Sequence, residues 1–329
     1  MRCAMINRTW GTLCLALTLL VVGCSDSSSS SYSGPTALPD AVREAARNGT
    51  PAVAWNVLPN TWRGQADGLV HDFAKAVPAT LYDKAMSTLG KFATVLKTKK
   101  SFVLGSTMVK AGMAELASAQ QSQVNQTYDV VVAFVNAIAS SDLRTTDTLS
   151  RATVSGLLGQ VGPPAHTMMI TMVTFASQSA GLEAQQAKTV LAVIESIKNL
   201  TATIDSQAGT NAEISISLPG LPAQSMQALG PLGDSGMFKV PMSEVGGSWV
   251  PSPLMSEWSQ GIAAAKANIA KLATQFAPDN PQAQQAQMMV QMGLGMFETA
   301  LDGMAKATTQ AEFDQSVAGL AGLMGGMGR

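Results

Sequence analysis

From Pro39 onward, apolar side chains return mainly in steps of three and four, and that spacing commits most of the chain to amphipathic helices. Leu81, Ala85, Leu89, Phe92 and Leu96 fall on one helical face. Val124, Tyr128, Val131, Val135 and Ile138 form a second such stripe, and Ile262, Ala265, Ile269, Leu272 and Phe276 a third. Local punctuation sets the expected ends. A short helix over Pro39 to Arg47 is stopped by Asn48-Gly49. Asn60 is placed to cap a helix carrying Trp62, Ala66, Leu69, Phe73 and Val77, with Pro78 ending it. Gly105 divides the stretch from Phe102 to Gln120, and Asp147 is placed to cap a helix reaching Gln160. Gly162-Pro163-Pro164 is expected to break the chain, with helices over His166 to Ser179 and Glu183 to Ile204 beyond it.

The period changes between residues 206 and 253, where Gly, Pro and Ser crowd together. Ile214, Ile216 and Leu218 alternate with Ser215 and Ser217, as on a half-buried strand. Met237 to Val245 and Ser248 to Val250 flank Gly246-Gly247, a pair suited to a two-residue hairpin turn. The fold class read from these patterns is mainly α. It is an antiparallel helical bundle or array with a small antiparallel β-hairpin or three-stranded insert near residues 212–251. The hairpin and the helical blocks on either side, 38–205 and 254–329, fit one domain or two. Pro278 and Pro281 separate two helices in the second block, and a last helix is expected from Gln310 to Leu323 before a Gly-rich tail.

The first residues carry Arg2 and Arg8 and no acid, and an apolar run from Leu13 to Val22 follows. A basic start and a run of this length describe a secretory signal, too short for a spanning helix of ~20 residues. The run ends Val21-Val22-Gly23-Cys24, which resembles the bacterial lipobox. The resemblance implies cleavage before Cys24, with residues 1–23 as signal peptide. It also implies a diacylglyceryl thioether on Cys24 and an acylated amine, an anchor of several chains. Ser25 rather than Asp is the residue that, in a Gram-negative host, favours the periplasmic face of the outer membrane. Residues 24–37 are rich in serine, poor in apolar side chains and read as a flexible tether.

With that leader removed, Cys3 and Cys14 are gone and Cys24 is modified, so the expected mature body has no thiol for catalysis, disulfides or metal ligation. Without Arg2 and Arg8, 19 of the 21 basic residues remain against 22 acidic ones, a formal charge of −3. That balance argues against nucleic acid as a partner. Only 13 % of residues are charged, so solubility falls to neutral polar groups.

Candidate chemistry is sparse. His71 and His166 are the two histidines. Asp67 and His71 stand i, i+4, the spacing of half a metal site, but a solvated or capped histidine is the plainer reading. His166, Met169 and Met172 make a one-sided stripe of imidazole and thioethers, donors that suit copper(I). Met289, Met292 and Met296 form a second stripe at i, i+3 and i+7, and adaptable core packing is the expectation for both stripes. No serine sits in a GxSxG elbow, no paired-carboxylate pattern is legible, and the glycines at 325, 326 and 328 do not join a strand to a helix, so no cofactor is expected. Lys97, Lys99 and Lys100 read as a solvated corner at a helix end. Trp249 and Trp258 are expected to clamp sheet to helix. The run Phe238 to Met242, then Gly246 to Pro251, then Met255 to Trp258 resembles a segment of uncharacterised bacterial exported proteins. It is also similar to the final hairpin of NTF2-like or cystatin-like folds; neither resemblance carries an activity. The expectation is therefore a non-enzymatic envelope lipoprotein, held to a membrane through Cys24 and binding an envelope protein or an apolar ligand. A lipid- or small-ligand-binding protein is the alternative, and a copper handler a lower one.

Overall fold

The computed structural model describes residues 32–116, 118–179, 181–221, 237–277 and 279–327; side chains at 119 and 320–327 are left aside. The lipobox, Cys24 and Pro278 lie outside the described residues. In chain order the elements begin with helices α1 (Ala37–Asn48), α2 (Pro51–Asn56), α3 (Asn60–Ala76), α4 (Ala79–Thr98), α5 (Lys100–Gly105), α6 (Thr107–Ala114) and α7 (Ser118–Ser140). A 3-10 turn (Asp142–Arg144) leads to α8 (Thr146–Leu149), α9 (Val154–Ser177) and α10 (Leu182–Lys198). Four strands follow, β1 (Thr201–Ala208), β2 (Asn211–Ser217), β3 (Met237–Val245) and β4 (Ser248–Pro251). Helices α11 (Ser252–Gln275), α12 (Pro281–Lys306) and α13 (Gln310–Met327) complete the chain. The protein is mainly helical with a small antiparallel sheet. The described residues divide into two compact units, those up to Leu69 with those of Thr153–Lys266, and those of Val70–Ala152 with those from Ala267 onward.

The first unit holds the sheet, a meander in the order β1-β2-β3-β4. Ala212, Ile214 and Ile216 of β2 stand opposite Met242, Val240 and Phe238 of β3, so alternation puts all six on one face. That face is the core of the sheet, where Ile214, Met242, Trp249 and Leu200 are buried. The other face is polar: Lys239 reaches Glu213 at 2.6 Å, and Ser215 donates to Asp205 at 2.7 Å. Gly246 and Gly247 both take positive φ, as the β3–β4 turn requires. In the same unit Ala41 and Ala45 of α1 pack on Ala54 of α2. Arg43 donates to the carbonyl of Leu200 at 3.2 Å, fastening α1 to the start of the sheet.

The second unit is helical. Val95 of α4, Leu301 and Met304 of α12, Ala307 at the end of α12 and Phe313 of α13 form its buried centre, with Phe92, Phe102 and Phe297 against them. Thr309 and Glu312 cap α13 reciprocally. The Glu312 amide N–H donates to the Thr309 hydroxyl, and the Glu312 carboxylate accepts from the Thr309 amide. The carboxylate also accepts from Thr308, and these bonds hold its pKa below the ordinary range. Lys84 and Lys91 of α4 face Glu298 of α12 across the surface.

Several expectations are corrected. Gly162-Pro163-Pro164 does not break the chain: α9 runs through both prolines from its Thr153 cap to Ser177. Each proline removes one backbone donor from the helix, and packing of α9 beside α10 carries the helix past that loss. Thr153 and Thr145, not Asp147, supply the capping oxygens in this region. The helix expected to reach Ile204 stops at Lys198, and Thr201–Ala208 is a strand. Its sequence lacks clean alternation because all but one of its residues are exposed, so neither face is a core face, and a bulge between Ile204 and Ser206 shifts its register. The sheet therefore has four strands and begins before residue 206. The last helix runs on to Met327, through glycines read as tail.

Candidate functional site

Asp67 and His71, one turn apart on α3, do not form a half-site. The Asp67 carboxylate accepts the amide of Val154 at 2.7 Å, which leads α9 out of its cap. The Nε2–H of His71 donates to the carbonyl of Ala152 at 2.9 Å. Both polar groups are spent on backbone, the capped reading of this pair. Among the described residues no group of three or more His, Cys, Asp and Glu is arranged to hold a metal ion.

His166 lies half-buried on α9 with its ring against Gly49, the residue that ends α1 at φ 68°. A Cβ at Gly49 would meet His166 Nδ1 at 2.8 Å. Burial lowers the pKa of His166 and the Lys198 ammonium lowers it further, both favouring the neutral ring. Farther along α9, Met169 is half-buried and Met172 is exposed. Two residues of this stripe are thus half-buried and the third stands in solvent.

The lysine corner is mostly employed. Lys99 donates to the carbonyl of Ala307 at 2.7 Å and lies over the Phe102 ring. Lys100 pairs with Asp129 at 2.7 Å and lies over Tyr128. Lys97 alone of the three is exposed. Tyr128 donates to Leu96 at 2.6 Å, and its phenol is pushed up to about 12 by burial and then by Asp129. Tyr82 donates to Leu143, and its pKa is raised, first by burial and then by Asp83. Both phenols are therefore neutral donors rather than bases. Trp258 does not clamp the sheet. It stacks on Trp62 at 4.8 Å, tilts against Trp55 at 6.2 Å and donates through its indole N–H to Gln65 at 2.9 Å. Trp249 packs separately, in the core of the sheet.

The methionines of α12 are the largest departure from expectation. Asn280 caps this helix, accepting from the amides of Gln282 and Ala283, and Pro281 fills its first position. Ala283, Leu301 and Met304 are buried, and Phe297 packs with the last two on one side. At 3.6 residues per turn Met288, Met289, Met292 and Met296 share a sector of about 100° on another side. Met288, Met289 and Met292 are 61 %, 59 % and 61 % exposed. They are not core. Between Asn280 and Phe297 there is no Asp, Glu, Lys or Arg, so this exposed face carries only thioethers and side-chain amides. Val290, in line with Phe297 and Leu301 on the other side of the helix, is 48 % exposed as well, so around Met288 to Met292 the helix is open on both sides.

No known protein family, curated protein or solved structure matches the chain. No helix among the described residues is long and apolar enough to cross a membrane.

Proposed function

We propose that the chain is a lipid-anchored protein of the bacterial cell envelope that works by binding rather than by catalysis, through the charge-free face of α12. The anchor rests on the lipobox at Val21-Val22-Gly23-Cys24 and the Ser-rich stretch behind it. The binding function rests on one observation: Met288, Met289 and Met292 stand about three-fifths exposed on the side of α12 away from its buried stripe. Flexible, polarisable methionines held in solvent suit a contact surface that adapts to what it meets. In a Gram-negative host, Ser25 directs the anchor to the periplasmic face of the outer membrane.

Two measurements test this reading. Radiolabelled palmitate is expected to enter the wild-type chain and not Cys24→Ser; equal labelling of both overturns the anchor. Native mass spectrometry of the detergent-extracted protein is expected to show a chain starting at Cys24 with its acyl mass and a non-covalent species. Met289→Asp, which sets a charge in the face without touching the core, is expected to remove that species. Wild-type protein carrying nothing, or the same species retained by Met289→Asp, overturns the binding half.

A further inference from the structure

We infer that Met288, Met289 and Met292 form a surface site for a soft monovalent cation, copper(I) or its redox-inert analogue silver(I). The inference rests on the reading of the α12 face as a binding surface and names what that surface takes. Met288 and Met292 stand i, i+4 and Met289 and Met292 stand i, i+3, so each pair occupies neighbouring turns with Cβ atoms about 5–6 Å apart. A thioether arm has three rotatable bonds and reaches across that gap, so three sulfurs can converge over one patch of helix. Met296, one turn beyond Met292, extends the same row.

The donor chemistry selects the ion. The face offers no carboxylate, imidazole or thiolate from Asn280 to Phe297, which removes the donors that hold calcium, magnesium or zinc. Thioethers are soft, neutral donors, and soft donors select copper(I) among the first-row metals. The run has no lysine or arginine of its own; the Lys84 ammonium of α4 comes within 3.9 Å of the Cβ position of Gly295 at its far end, where Glu298 faces it, and Lys91 faces Asp302 beyond. Burial gives no account of these side chains, which are about three-fifths exposed, whereas Met304 on the same helix lies in a buried cluster. Leucine would serve a merely apolar face equally well and is at least as good a helix former. What methionine adds at these exposed positions is sulfur.

The test uses the full-length acylated protein in detergent, titrated with silver(I) by calorimetry and with copper(I) under anaerobic conditions against a chromogenic chelator. One equivalent is expected to bind. The triple variant Met288→Leu/Met289→Leu/Met292→Leu keeps an apolar face and the helix, verified by circular dichroism, and is expected to bind at least tenfold more weakly. Met169→Leu/Met172→Leu, on α9, is expected to bind as wild type does. No uptake by the wild type, or equal affinity in the α12 triple variant, overturns the inference. If the wild type fails to bind silver(I) while the α12 triple variant still retains the non-covalent species seen by native mass spectrometry, the soft-cation site falls and the binding reading stands. Loss of that species in Met289→Asp together with tight silver(I) binding in the wild type supports both.

Discussion

A Cβ placed on Gly49 would lie 2.8 Å from Nδ1 of His166, so the end of α1 and the middle of α9 meet where one residue has no side chain. Gly49 also ends α1 at φ 68°, in the left-handed region. Two penalties therefore fall on Gly49→Ala: about 1–2 kcal/mol for the backbone conformation, and displacement of the ring. Urea denaturation is expected to show a loss of about 2–3 kcal/mol in total. His166→Ala in the same chain should relieve the second penalty alone. Strict additivity of the two substitutions would refute the contact.

The lowered pKa of His166 has a pH consequence. Burial, then Lys198, lowers its folded pKa below the ordinary 6.5. The unfolded chain then binds the proton more readily, so stability is complete above that ordinary value and declines as pH falls through it toward the folded pKa. The urea midpoint is expected to drop between pH 7 and pH 5, above the main carboxylate range. His166→Gln should flatten that slope. A slope unchanged by this substitution would assign the effect to other groups.

Two methionines on one helix should answer differently to the same substitution. Met304 is 6 % exposed within the cluster of Val95, Leu301 and Phe313, and Met304→Ala is expected to lose about 2–5 kcal/mol. Met289 is 59 % exposed, and Met289→Ala should stay within about 0.5 kcal/mol of wild type. Similar losses at both sites would mean that the exposed face of α12 is covered in solution.

Pro163 sits in the interior of α9, where it removes one backbone donor from the helix. Pro163→Ala restores that donor. A gain of about 1–3 kcal/mol is expected, since interior proline is about 3 kcal/mol less favourable than alanine. A loss instead would indicate that the ring is needed for packing along α9.

Much of this architecture is local in origin. Leu81 to Leu96 and Val124 to Ile138 mark α4 and α7 by spacing alone, and alternation at Ile214 and Ile216 marks β2. Gly246-Gly247 places the β3–β4 turn because both positions need positive φ. These signals are legible because each is a property of one element and its own backbone. The candidate site was half legible: the methionine row and its helical spacing could be read, while its burial could not.

The sequence by itself determined the helical majority, the alternating strands and their turn, and the lack of charge between Asn280 and Phe297. Tertiary structure decided the rest. It kept α9 whole through Pro163 and Pro164, because α10 packs beside it. It made a strand of Thr201–Ala208, whose pairing with β2 supplies the hydrogen bonds that its own sequence pattern does not advertise. It also turned Leu301 and Met304 of α12 toward α4 and α13 and left Met288, Met289 and Met292 in water. The apolar pattern of a helix does not specify which of its turns are covered; the elements packed against it do.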